Sequence, residues 1–280
     1  MTAIRPFELA IPEDQLVALA DRLDQTRWPE EEPVDDWSQG TRLAALRELV
    51  AYWRIEYDWR RYEARLNSIG QFITEIDGLD IHFLHKRSSR EDALPLIITH
   101  GWPGSVVEFL GVIDELVEPS DPAAPAFHVV APSLPGYGFS GKPGQTGWGV
   151  ERIARAWAEL MQRLGYGHWV AQGGDWGAAV TTAIGQLAPD GCRGIHLNMP
   201  IGRPGPGDME SKDPKVLKAL QRLGTSNGIR AIRSSRARAR KQSAMRWSIR
   251  RWVSLHGCSR RSISGPTMTV RRGMSCRWTR

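Results

Sequence analysis

The amino-acid sequence predicts an α/β fold: a mostly parallel sheet, incomplete at its C-terminal end, preceded by a mostly helical N-terminal domain. Three observations carry this. Between residues 94 and 197 short apolar runs alternate with helical patterns, as parallel strands joined by right-handed crossovers require. Two of the runs end in turns rich in small residues, His100-Gly101-Trp102-Pro103-Gly104-Ser105 and Gly173-Gly174-Asp175-Trp176-Gly177. Ahead of them, residues 13–66 place apolar side chains at spacings of three and four.

Taken in order, residues 13–26 read as an amphipathic helix with Leu16, Leu19 and Leu23 on one face. A second helix is expected over 41–53, on Leu43, Leu46, Val50 and Trp53, and a third near 59–66. Residues 71–76 and 79–84 read as two strands joined by Asp77-Gly78, a favoured type I′ hairpin turn. A strand at 94–99, a helix at 106–117 and a strand at 127–131 follow. A Gly/Pro-rich loop leads to a helix at 150–164, a strand at 168–172, a helix at 178–188 and a strand at 194–197. The loop Gly136-Tyr137-Gly138-Phe139-Ser140-Gly141 has the spacing of a dinucleotide fingerprint. Lys142-Pro143-Gly144 follows it where that motif needs a helix, so a mobile loop beside the active site is expected instead. The expected divisions are 1–90, 91–224 and a tail at 225–280.

The chain has 280 residues and an ordinary apolar fraction of 41%, enough for one large domain or two modest ones. No apolar run reaches the ~18 residues of a membrane-spanning helix, and residues 1–6 lack the apolar core of a secretory signal. Cys192, Cys258 and Cys276 show no metal-ligand spacing and point to a reducing, cytoplasmic setting. The net charge of +6 conceals a split. Residues 225–280 carry fourteen Arg and one Lys with no acidic residue, which leaves 22 basic against 31 acidic residues over 1–224.

The chemistry concentrates in the two turns. In the pentad, small residues stand two before and two after Asp175, between a strand and a helix. Such a turn strains the central residue and lifts its side chain to the tip of the sheet. An aspartate there suits a hydrolase that alkylates its own carboxylate, although an Asp at a helix start is also an ordinary cap. The His100-Gly101 turn favours the first reading. A loop of that type after an earlier strand supplies the second backbone N–H that an oxyanion needs.

These residues resemble the epoxide hydrolases of the α/β-hydrolase fold, in the microsomal and juvenile-hormone-type branch, over roughly residues 4–222. The resemblance rests on Arg22-Leu23, Thr26-Arg27-Trp28-Pro29, Tyr52-Trp53, Tyr57-Asp58-Trp59-Arg60 and Ile76-Asp77-Gly78-Leu79-Asp80-Ile81-His82-Phe83 in the N-terminal part. Further on it rests on the two turns, on Pro132-Ser133-Leu134-Pro135-Gly136-Tyr137-Gly138-Phe139-Ser140, and on Asn198-Met199-Pro200. It implies that Asp175 attacks an epoxide carbon to form a glycol ester. It implies too that the backbone N–H groups of Trp102 and Trp176 hold the oxyanion when water opens that ester. His100, Gly101, Pro103, Gly173 and Gly177 then shape the site, His100 as a structural residue rather than a base. The implied substrate is a small apolar epoxide, and no metal or organic cofactor is expected.

The mechanism also needs a proton-donating tyrosine, a water-activating histidine and a carboxylate to orient it. All five tyrosines, Tyr52, Tyr57, Tyr62, Tyr137 and Tyr166, precede Asp175. No carboxylate follows Asp213, and the one later histidine, His256, reads as an exposed tail residue. The tail suits a GC-rich gene read out of frame. The expectation is a frameshift near codon 224 that replaces the lid and the last third of the hydrolase domain, leaving a weak or inactive chain. Two alternatives are weighed against this. The tail, with Trp247, Trp252 and Trp278 among its charges, could bind nucleic acid, but it reads rather as a solvated basic run. A haloalkane dehalogenase would also place Asp-Trp at this turn but would lack residues 4–90.

Overall fold

The computed structural model describes residues 3–200, 205 and 207–222. The expected tail at 225–280, with His256 and its tryptophans, lies outside the described residues. Residues 3–200 belong to one compact unit, and the described residues 205 and 207–222 to a second. The described part of the second comprises a 3₁₀ turn at Asp208–Glu210 and helical residues 214–222.

The first unit is built on a seven-stranded sheet ordered β1-β2-β3-β5-β4-β6-β7. β1 (Arg5–Phe7), β2 (Gln71–Ile76) and β3 (Leu79–Lys86) are antiparallel, and β3 pairs antiparallel with β5 (Phe127–Pro132). From β5 onward the sheet is parallel, through β4 (Leu94–Thr99), β6 (Trp169–Gly173) and β7 (Cys192–Leu197). The strands of the expected N-terminal and hydrolase domains therefore share one sheet. The hairpin turn is as expected: Asp77 and Gly78 have φ of 52° and 76°, the pair of positive values that a type I′ turn requires.

Strand alternation divides the core into two layers. Phe83, Ile97, Val130 and Ala171 face α5 (Val150–Arg163) and α6 (Trp176–Leu187), where Trp157, Leu160, Met161, Val180 and Ile184 are buried. Leu84, Ile98 and Val129 face the other way, onto Leu66 and Ile69 of α3 (Trp59–Ile69) and Ile113 and Val117 of α4 (Ile113–Val117). α1 (Glu13–Asp24) buries none of its residues, and α2 (Leu43–Ile55) buries only Leu43.

Three differences from the sequence reading have local causes. The helix expected over 106–117 is a 3₁₀ segment, Val106–Gly111, followed by the short α4, with Val112 at φ −125° between them. The β-branched pair Val106-Val107 and Gly111 are weak helix formers at that junction. β1 was not expected. It is three residues long and contains Pro6, which an edge strand accommodates. The loop at 136–141, expected to be mobile, is tied down: Gly141 N–H donates to the Asp80 carbonyl at 2.7 Å and Gly136 N–H to the Gly141 carbonyl at 2.9 Å. α5 begins only at Val150, so no helix opens on this loop to bind a dinucleotide phosphate.

Candidate active site

β6 ends at Gly173 and α6 begins at Trp176, leaving a turn too tight for ordinary backbone angles. Asp175 absorbs the strain, with φ 50° and ψ −121°. A non-glycine residue in that region costs roughly 1–3 kcal/mol and persists only where its surroundings enforce it. The small neighbours explain how the turn closes. A Cβ on Gly173 would overlap the Gly177 carbonyl, and one on Gly177 would overlap the backbone of Thr99 at the end of β4. A Cβ on Gly174 would come within 2.5 Å of Asn198 Oδ1.

The carboxylate of Asp175 does not cap α6, although it stands at the N-cap position. It turns toward the loop after β4, where the Trp102 N–H donates to Asp175 Oδ1 at 2.7 Å. The plain helix-cap reading of this aspartate is thereby removed. Gly101 permits the approach, because a Cβ there would lie 2.5 Å from Asp175 Oδ1. The Trp102-Pro103 bond is cis. The Trp176 N–H, at the first helical position, makes no hydrogen bond to the Asp175 carboxylate; of the two expected oxyanion donors, one is engaged.

His100 is buried, and both of its ring nitrogens are in use. Leu134 N–H donates to Nε2 at 3.1 Å, so Nε2 is the acceptor and Nδ1–H donates to the Gly101 carbonyl at 3.0 Å. Burial pushes its pKa below the usual imidazole value, against opposing contributions from the Gly101 carbonyl and the Glu108 charge. A neutral imidazole with no free nitrogen holds the loop and is not placed to activate water.

Asp175 opens into a cavity of about 430 Å³ that Gly101, Trp102, Glu108, Phe109, Asn198 and Met199 help to line. Larger depressions of about 720 and 670 Å³ lie between α5 and α6 and among α1–α3, away from this carboxylate. Trp102 lines the cavity beside Phe109 and is 65% exposed, whereas Trp176, 54% exposed, is not part of its lining. None of the five tyrosines lines it. The sequence reading passed over Glu108. Its signal was the pattern Ser105-x-x-Glu108, that of a capping box: the Ser105 hydroxyl accepts from Val107 N–H at 3.3 Å, and the Glu108 carboxylate lies over Gly104. Among the described residues no cluster of His, Cys, Asp and Glu could hold a metal, and no helix is long and apolar enough to cross a membrane.

Chemically, the arrangement offers a carboxylate lifted to the sheet tip, one oxygen fixed by a backbone donor, in an opening lined by apolar residues (Trp102, Phe109, Met199) and polar ones (Glu108, Gln172, Asn198) alike. The chain is similar to known proteins. The family described as epoxide hydrolase N terminus matches residues 4–109, and the one described as alpha/beta hydrolase fold matches residues 95–246. A Stigmatella aurantiaca (strain DW4/3-1) protein named as an epoxide hydrolase is 56% identical over 227 residues, covering 80% of this chain and 52% of that one. The structure of Aspergillus niger epoxide hydrolase aligns with a TM-score of 0.66 at 40% identity, over 73% of this chain and 54% of that one. The juvenile hormone epoxide hydrolase of the silkworm Bombyx mori aligns with the same TM-score at 36% identity, over 71% of this chain and 53% of that one. The chain thus spans about half the length of the relatives it matches. It resembles epoxide hydrolases in its sequence and in its sheet, and it belongs to the α/β-hydrolase fold family, with the epoxide hydrolase N-terminal domain ahead of that fold.

Proposed function

We propose that this chain opens a small apolar epoxide through an aspartyl ester, as an epoxide hydrolase does. The observation that carries the reading is the Trp102 N–H bond to Asp175 Oδ1, 2.7 Å long, at a strained turn. With Oδ1 held, Oδ2 is the attacking oxygen. Its lone pair forms a bond to one epoxide carbon and the ring C–O bond breaks. The electron pair goes to the ring oxygen, which takes a proton from solvent water and becomes a hydroxyl. In the second step water adds to the ester carbonyl, and the negative charge develops on Oδ1. The Trp102 N–H already points at that atom, and the Trp176 N–H is the second candidate donor. Collapse of this intermediate expels the diol oxygen and restores the carboxylate. The overall reaction converts an epoxide and water to a vicinal diol, with no cofactor.

Trp102, Phe109 and Met199 in the cavity lining support an apolar epoxide as substrate. The N-terminal domain supports this chemistry over haloalkane dehalogenation, since that family lacks such a domain. Cysteine usage supports a cytoplasmic setting. The described cavity contains no tyrosine to protonate the opening alkoxide and no free imidazole to activate water. Each acid or base not supplied costs roughly 10²–10⁴-fold, so both ester formation and diol release should be slow.

Intact-mass measurement after incubation with styrene oxide, followed by peptide mapping, tests the reading. One adduct should form on Asp175, and Asp175→Asn should abolish it with the fold retained. Adducts spread evenly over surface carboxylates, or unchanged labelling of Asp175→Asn, would refute it.

A further inference from the structure

A line of hydrogen bonds with a single polarity runs from β3 to the candidate nucleophile. The backbone N–H of His82 donates to Ser140 Oγ at 3.0 Å. The Ser140 hydroxyl donates in turn to the Ser133 carbonyl at 2.7 Å. That carbonyl belongs to the peptide unit whose N–H, on Leu134, donates to His100 Nε2 at 3.1 Å. Across the imidazole, Nδ1–H donates to the Gly101 carbonyl at 3.0 Å. The same peptide unit carries the Trp102 N–H, which donates to Asp175 Oδ1 at 2.7 Å.

Each peptide unit in this line accepts at its oxygen and donates at its nitrogen. An accepted bond draws electron density toward the oxygen and makes the N–H of that unit a better donor, so bonds in series strengthen one another. Ser140, His100 and Leu134 are buried, where this effect is not screened by water. The Ser133 side chain lies off the line. Its hydroxyl meets His82 Nδ1 at 2.9 Å, and His82 Nε2 meets Gln71 Oε1 at 3.0 Å. Two buried serines, Ser133 at 0% and Ser140 at 7% exposure, thus stand seven residues apart, one beside the line and one in it.

We propose that Ser140 is a positioning residue for the Trp102 N–H, setting its orientation and donor strength through the Leu134 peptide and the His100 ring. Its relevance to ester chemistry rests on the reading of Asp175 as the nucleophile; the hydrogen-bond relay itself does not. The polarity also fixes the tautomer of His100. With Leu134 N–H donating to Nε2, the ring proton belongs on Nδ1, where it holds the Gly101-Trp102 peptide in the orientation an oxyanion needs.

The test compares Ser140→Ala with Ser133→Ala. Amide hydrogen exchange is read at Trp102 and, as an internal reference, at Ile97 in the core strand β4. Ser140→Ala should raise exchange at Trp102 relative to Ile97 by about fivefold, the order of one net hydrogen bond. Ser133→Ala should leave that ratio within about twofold, and Ser140→Thr, which keeps the hydroxyl, should restore it. Equal effects of the two alanine variants, or none, would overturn the proposal. If Ser140→Ala does not fold, Ser140→Thr decides alone: wild-type protection at Trp102 supports the proposal, and lost protection with β4 intact overturns it. In parallel, the styrene oxide adduct on Asp175 should break down more slowly in Ser140→Ala than in Ser133→Ala. Absence of any adduct in the wild-type chain would count against the nucleophile and leave the exchange comparison to judge the relay.

Discussion

Gly101 gives the sharpest test of how the candidate nucleophile is held. Its φ is not in the left-handed region, so alanine is allowed on backbone grounds, but a Cβ would stand 2.3 Å from Asp175 Cβ, 2.5 Å from Oδ1 and 2.7 Å from Cγ. Ordinary heavy-atom contacts begin near ~3.5 Å, so the whole Asp175 side chain, Cβ included, must retreat by about 1 Å. A retreat of that size stretches the 2.7 Å bond from Trp102 N–H beyond hydrogen-bonding range. The lost bond stabilises the resting carboxylate, so the rate effect on alkylation comes from geometry: a misplacement of about 1 Å at a reacting centre costs on the order of 10²-fold. Gly101→Ala should therefore label Asp175 with styrene oxide about 10- to 100-fold more slowly than wild type, measured by peptide mapping over time. The overpacking itself should cost about 1–3 kcal/mol of stability, which urea unfolding will report. Wild-type labelling by a folded Gly101→Ala variant would show that the Trp102 contact does not organise the nucleophile.

Two further outcomes follow from the same geometry. Because Asp175 sits at φ 50°, Asp175→Gly should be more stable than Asp175→Ala by about 1–2 kcal/mol in urea unfolding, reversing the usual advantage of alanine; equal stabilities would mean that the turn is unstrained. Burial lowers the His82 pKa from 6.5 to about 4, so between those values the unfolded chain binds a proton that the folded chain does not. Stability should then fall as pH drops from about 6.5 toward 4, by up to about 1.4 kcal/mol per pH unit from this residue. His82→Gln should flatten the slope between pH 7 and 5, and an unchanged slope would place that titration elsewhere.

Much of the fold was legible because its signals are local. The Asp77-Gly78 turn announces itself by residue type. The alternation of Ile97/Ile98 and Val129/Val130 across two layers follows from strand geometry alone. The amphipathic face of α5 is a matter of spacing. The elbow was legible for the same reason, since only small residues fit around Asp175. What was missed depended on partners distant in the chain. β1 exists because Arg5–Phe7 finds β2 some 66 residues later, and three residues carry no periodicity of their own. The loop at 136–141 looked mobile from its glycines, yet Asp80 and Ser133 hold it in place.

The sequence by itself determined that a carboxylate would stand at the tip of a sheet, after a loop able to supply a backbone donor. Residue size and chain order specify both. Only the tertiary structure decided which way that carboxylate points, which of two candidate donors reaches it, and that both nitrogens of His100 are already taken. Those outcomes rest on angstrom-scale distances between β4, β5 and β6, whose order in the sheet differs from their order in the chain. Hydrogen bonds fail over less than an angstrom, and no pattern of residue types along one segment can specify a distance to another.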